Sequence, residues 1–287
     1  MKKKVLFSIK LRIKTFVSES YYNLFFLISL IFFNILYLVF AFYFHDIFQE
    51  TDGYSYYEYY QDIISNRNPP EYSEFWPLGL PCLIGFLSIF IGDFFISGKI
   101  IIVEFSIMFL ISIYLTIKKV FNERIGFITY FLIATSHHMI LLYFNIFSDI
   151  PFASLIMFSI YFLLEDTEEH KKNLIYSSLF AGLATLIRWT GIFFLFFIIL
   201  KSILDIIKAS NRDMKVIINK LRYNTLIGIS VFFIIMLPYL ILNTLWWGSP
   251  FYNQNIYNVY KAMRLYAGDD WEEIEGPHRL SWSWILF

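Results

Sequence analysis

Cysteine is almost missing from this chain. Among 287 residues there is one, Cys82, which excludes an internal disulfide framework and a cysteine-rich metal site. Charge is scarce too: 16% of residues are charged, against about a quarter in an ordinary soluble domain. The 23 Lys and Arg balance 23 Asp and Glu, so no net positive field recommends a nucleic acid as partner. There is no repeat of fixed period, no inverted duplication and no low-complexity linker. The first apolar run, 21–44, lacks a small-residue cleavage site behind its Met-Lys-Lys-Lys start, which predicts an uncleaved first span rather than a signal peptide.

What is abundant is grease. Hydrophobic residues make up 58% of the chain, with 34 Phe, 21 Tyr and a mean hydropathy of +0.58, a composition that predicts an integral membrane protein. A bilayer core of about 30 Å needs about 20 apolar residues of helix. Candidate spans lie at 21–44, 99–117, 125–146, 150–164, 173–187, 190–207 and 225–245. The run 78–95 is also long enough, and the positive-inside bias decides its role. If 78–95 does not cross, 17 of the 23 Lys and Arg fall on the cytoplasmic side. If it crosses, most of them land outside. We therefore place 78–95 as a helix in the outer interface, with Pro77 and Pro81 at its start. The expected fold is an all-α polytopic bundle with about seven full spans and a cytoplasmic N-terminus. Residues 1–245 form the membrane module, with a first outer loop at 45–98. A second outer segment runs over 246–280, and 281–287 read as the start of an eighth span cut short.

The first outer loop carries Asp46, Glu50, Asp52, Glu58, Asp62, Glu71 and Glu74 among tyrosines. Most of these are an ordinary solvated acidic face. Asp52 differs because Gly53 follows it and lets a substrate come close to the backbone. The tyrosines after it suit a helix lying flat on the interface. Asp149 sits in Phe147-Ser148-Asp149-Ile150-Pro151, where Ser and Asp are also good helix caps. The map puts it on the same face as Asp52, and two converging carboxylates can act as base and orienting group, or hold a divalent cation through oxygen. Arg188 lies between two apolar runs, where it either snorkels or grips a phosphate through its planar fork. His137 and His138 are adjacent in a span, point about 100° apart on a helix and lack zinc spacing. We place His138 among the cavity-lining residues, and Glu104, alone in its span, as a packing partner for a residue such as His137.

These segments resemble the membrane glycosyltransferases of the GT-C superfamily, nearest the protein-mannosyltransferase and aminoarabinose-transferase-like branch and more distantly oligosaccharyltransferase catalytic subunits. Thr51-Asp52-Gly53-Tyr54 resembles the catalytic-aspartate motif of that superfamily. Trp76-Pro77-Leu78-Gly79-Leu80-Pro81 resembles the start of its interfacial helix, and Ser148-Asp149-Ile150-Pro151 its second acidic motif. Ala184-Thr185-Leu186-Ile187-Arg188-Trp189-Thr190-Gly191 is similar to its small-residue helix end followed by a basic residue. Pro238-Tyr239 with Asn243-Thr244-Leu245-Trp246-Trp247-Gly248-Ser249-Pro250 is similar to its Pro…Asn…Gly-x-Pro segment. Trp246-Trp247 lacks the Asp-Tyr-Gly that follows in an oligosaccharyltransferase, which favours a transferrer of single sugars.

The resemblance implies a polyprenyl-phosphate-linked sugar as donor and a protein, lipid or glycan as acceptor. It implies inverting transfer on the non-cytoplasmic face of the cell membrane. Asp52 is then the general base, Asp149 the residue that orients the acceptor or binds a cation, and Arg188 the phosphate ligand. Tyr54 and Tyr57 contact the sugar. No cofactor beyond such a cation is implied. The competing expectations are a lipid or amphiphile transporter or flippase, and a non-catalytic, truncated membrane subunit. Transporters favour inverted repeats and midplane sites on broken helices; here the polar candidates gather at one face.

Overall fold

The computed structural model describes residues 20–43, 52–164, 170–208 and 214–254. Thr51, the expected cut span at 281–287 and most of the 246–280 segment lie outside the described residues, as does the side chain of His138. Among the described residues the secondary structure is helical, with no strand.

The helices are α1 (Tyr21–Tyr43), α2 (Asp52–Ile64), α3 (Gly79–Ile91), α4 (Phe94–Val120) and α5 (Glu123–Ala134). They continue with α6 (His137–Phe144), α7 (Asp149–Leu163), α8 (His170–Ile187), a 3-10 turn (Trp189–Phe193), α9 (Phe194–Lys208) and α10 (Met214–Trp247). Among the described residues three stretches are long and apolar enough to cross a membrane: Tyr21–Tyr43, Phe94–Val120 and Tyr223–Trp247. Their outward residues, such as Phe25, Ile31 and Leu245, are exposed and apolar, as a chain dissolved in lipid requires. The protein is a membrane protein.

α4 is the central post, packed against α1, α3, α5 and α7. It starts cleanly because the Asp93 carboxylate accepts the Ile96 N–H at 2.8 Å. α7, α8 and α10 form the other half, with α8 lying between its two neighbours. α3 has 13 residues, about 20 Å of helix, and is too short for the hydrocarbon core. It buries Leu80, Pro81, Ile84 and Gly85 against the core and exposes Phe86, Ile89 and Phe90. Both of its faces are apolar, so its outer face also needs a greasy surrounding.

α3 meets α8 through Gly79. A β-carbon there would fall 2.4 Å from the Leu186 carbonyl oxygen, two residues before Arg188. Gly79→Ala is therefore expected to push the two backbones apart and cost about 1–3 kcal/mol. Thermal unfolding in detergent checks this: the midpoint should fall, whereas an unchanged midpoint means the contact is slack.

One expectation is corrected here. The run 125–146 is not a single continuous helix. It divides at Thr135-Ser136 into α5 and α6. The Thr135 hydroxyl donates back to the Phe131 carbonyl at 2.9 Å, and Ser136 caps the new helix by accepting the Met139 N–H at 3.3 Å. The Ala134 carbonyl, left by the break, takes the Tyr37 hydroxyl from α1 at 2.6 Å. Glu104, on α4, and His137, at the start of α6, are both exposed.

Candidate active site

Ile146 is the wedge that assembles the site. A β-carbon on Gly53 would lie 3.1 Å from its Cβ, and one on Gly98 would lie 2.6 Å from its Cδ1. The two glycines let the first turn of α2, the upper part of α4 and the loop before α7 close on one isoleucine. Asp52, which begins α2, is thereby brought beside Asp149, which begins α7. Each carboxylate sits in the first turn of a helix, where the exposed N–H groups favour negative charge.

Arg188 arrives from the opposite side. α8 ends at Ile187, Arg188 is extended, and the 3-10 turn starts at Trp189. Its Nη1 donates to the Asp149 carboxylate, which joins α7 to the end of α8. The pair is water-accessible, with 54% of the Asp149 side chain and 38% of the Arg188 side chain exposed. Ser148 makes no side-chain cap bond. The capping role expected of Ser148 is thus not realised, and the Asp149 carboxylate is committed to the guanidinium.

The electrostatics show that the three charges form one group. Burial raises the Asp52 carboxyl above the usual carboxylate range, and the neighbouring Asp149 charge raises it further. Arg188 pulls it back down. Tyr56 joins them one helical turn after Asp52. It is 1% exposed, and it lies in the field of Asp52, Asp149 and Arg188 with its hydroxyl beside Ser148. Burial holds its phenol far above the ordinary tyrosine range. Sequence reasoning singled out Tyr54 and Tyr57 and missed Tyr56. The signal was available in the spacing, because residues four apart share a helix face and residues two apart do not. Tyr57 instead packs on Phe94 and Phe95, at ring separations of 5.4 and 5.7 Å, and Tyr54 is an exposed residue next to it.

An apolar cavity of about 460 Å³ opens between α2, α3 and the end of α10, lined by Ile63, Arg67, Leu78, Cys82, Leu242 and Trp246 among others. Leu78 also packs against the same buried cluster as Leu186 and Trp189, the cluster that includes Tyr239 and Phe232. Arg67 at its rim is held by Asp62 and Glu71 at 3.1 and 2.9 Å. Among the described residues, no group of three or more His, Cys, Asp or Glu side chains is placed to hold a metal ion.

The fold and this cluster together describe a membrane-embedded helical bundle with two acids and an arginine collected at the ends of its helices. The model of the family described as dolichyl-phosphate-mannose-protein mannosyltransferase matches residues 77–248, well over half of the chain, and the chain belongs to that family. It is a membrane glycosyltransferase of the mannosyltransferase type, and the family implies a lipid-linked sugar donor and an acceptor. No curated protein and no solved structure matches the chain. Asp149 and Arg188 fall inside the matched range; Asp52 lies ahead of it.

Proposed function

We propose that the protein transfers a single sugar, a mannose by family, from a polyprenyl-phosphate carrier to an acceptor hydroxyl, with inversion at the anomeric carbon. The observation that supports this best is the convergence of Asp52, Asp149 and Arg188 from three distant parts of the sequence. Asp52 takes the acceptor proton while the acceptor oxygen bonds to the anomeric carbon. The bond from that carbon to the phosphate oxygen breaks, and its electron pair leaves with the phosphate. Arg188 meets the charge that grows there. Its fork has five donors, so holding Asp149 through Nη1 leaves others for phosphate. Asp149 then sets the direction of the guanidinium. The apolar cavity beside Leu78 suits the carrier tail. The charge pattern of the sequence would put this site on the non-cytoplasmic side, where a nucleotide sugar made in the cytoplasm does not reach.

A pH series of mannosyl transfer tests the base. Asp52 works only when ionised, and its raised pKa means it protonates at higher pH than an ordinary carboxylate. Activity should therefore fall on acidification along a limb above the usual aspartate range. In Asp149→Asn the residual activity should show that limb at lower pH, because one raising charge is gone and Arg188 is freed toward Asp52. A limb that stays in place rules out the shared electrostatics.

A further inference from the structure

At the C-terminal end of α10 the chain folds back on its own helix over residues 249–254. Gly248 makes the reversal: its N–H closes α10 on the Thr244 carbonyl at 2.9 Å, and its φ of 72° turns the backbone off the helix axis. Asn243 holds what returns. It is 0% exposed, and its amide nitrogen donates to two backbone carbonyls, those of Pro250 and Tyr252, each at 3.0 Å. The Tyr252 ring stacks on Trp247 at 4.9 Å and 17°, which keeps the returning chain against the last turn of α10.

This strap reaches toward both halves of the charged cluster. On one side the Gln254 N–H donates to the Glu74 carbonyl at 2.9 Å. Glu74 stands two residues before Trp76, and Trp76 meets Tyr56 edge-on at 5.2 Å and 69°. Tyr56 is one helical turn from Asp52. On the other side the Phe251 ring lies 6.4 Å from Trp189, within the range of an aromatic pair. Trp189 directly follows Arg188, whose own backbone is extended.

A carboxamide offers two N–H donors from a single nitrogen, which no hydroxyl or aliphatic side chain does. Without it the Pro250 and Tyr252 carbonyls lose that donor, and the reversal is free to open. Small movements matter at a reacting centre: a displacement of about 1 Å caused by a remote substitution can cost about 10²-fold in rate. We propose that Asn243 is a positioning residue, which clasps the Pro250 and Tyr252 carbonyls, keeps the 249–254 strap against Glu74 and Trp189, and so sets the spacing of Asp52 and Arg188. This deepens the proposed function and rests on it for its kinetic consequence, while the clasp itself is a structural claim.

The test uses Asn243→Leu and Phe251→Ala in the purified full chain. The first keeps the bulk of the side chain and removes the amide. The second keeps the clasp and removes the contact with Trp189. Two quantities are read: steady-state transfer from polyprenyl-phosphate mannose, well below each thermal midpoint, and amide exchange at Gln254. Asn243→Leu loosens both ends of the strap, so the donor KM should rise about tenfold and kcat should fall about tenfold. Phe251→Ala loosens the arginine side only, so the donor KM should rise about tenfold with kcat within about twofold. Exchange at Gln254 should quicken in Asn243→Leu and keep the wild-type rate in Phe251→Ala. Wild-type kcat and KM in folded Asn243→Leu overturn the proposal even where its midpoint drops, because a residue that only stabilises the fold gives that result. Wild-type exchange at Gln254 in that variant overturns it as well. If the unaltered protein transfers no sugar, the glycosyl-transfer reading fails and exchange at Gln254 decides the clasp alone. If Asn243→Leu does not fold, the donor KM of Phe251→Ala decides: a rise supports the strap, and a wild-type value overturns it.

Discussion

Asp52→Asn should lower mannosyl transfer by roughly 10² to 10⁴, the usual range for losing a general base. The substitution keeps the shape of the side chain and removes only its ability to take a proton. The protein should remain folded, and its stability at neutral pH should rise rather than fall. The sign follows from the carboxyl's raised pKa. A group whose pKa is higher in the folded state contributes stability below its unfolded pKa and loses it as pH climbs through the folded value. At neutral pH the ionised carboxylate is therefore a net cost, set by burial and by Asp149, and a neutral amide relieves it. Thermal unfolding of both forms at pH 7 separates this outcome from trivial misfolding. An inactive variant with a much lower midpoint would mean that Asp52 is structural.

Arg188→Ala should lose about 10² to 10³ in kcat/KM, the scale on which a single preorganised donor to transition-state charge acts. Two effects combine. The donor phosphate loses its guanidinium, which raises the donor KM. Asp52 also loses the one neighbour that pulls its pKa down, while Asp149 stays behind as an unpaired carboxylate. The acid limb should consequently move to higher pH, opposite to its shift in Asp149→Asn. Full kinetic profiles of the two variants check this. Shifts in the same direction would contradict a shared site, and a variant that only expresses poorly would assign Arg188 to snorkelling at the interface.

Much of the fold was legible in the apolar runs, because hydrocarbon length and helix rise tie a span to its residue count. The run 99–117 lies inside α4, 225–245 inside α10, and the interruption at Arg188-Trp189-Thr190-Gly191 is where α8 gives way to a 3-10 turn. The break between α5 and α6 was not legible. Thr135 and Ser136 are small residues in a long apolar stretch, and only their bonds to Phe131 and Met139 turn them into a helix end and a cap. The proximity of Asp52, Asp149 and Arg188 followed from placing all three at one side of the bundle. Tyr56 was overlooked among the tyrosines around it, although its spacing of four from Asp52 puts the two on one face once α2 is read as a helix. Ile146 was hidden: no pattern marks an isoleucine whose importance comes from two glycines on other elements.

The most direct measurement compares donors. The purified protein in lipid bilayers is given mannose on polyprenyl phosphate or the same sugar on a nucleoside diphosphate, and released carrier and mannosylated acceptor are counted. Transfer from the lipid-borne sugar alone, cut roughly 10² to 10⁴-fold by Asp52→Asn and strongly reduced by Arg188→Ala, is the result required. Transfer from the nucleotide sugar, or lipid-borne transfer that survives both substitutions, would contradict it.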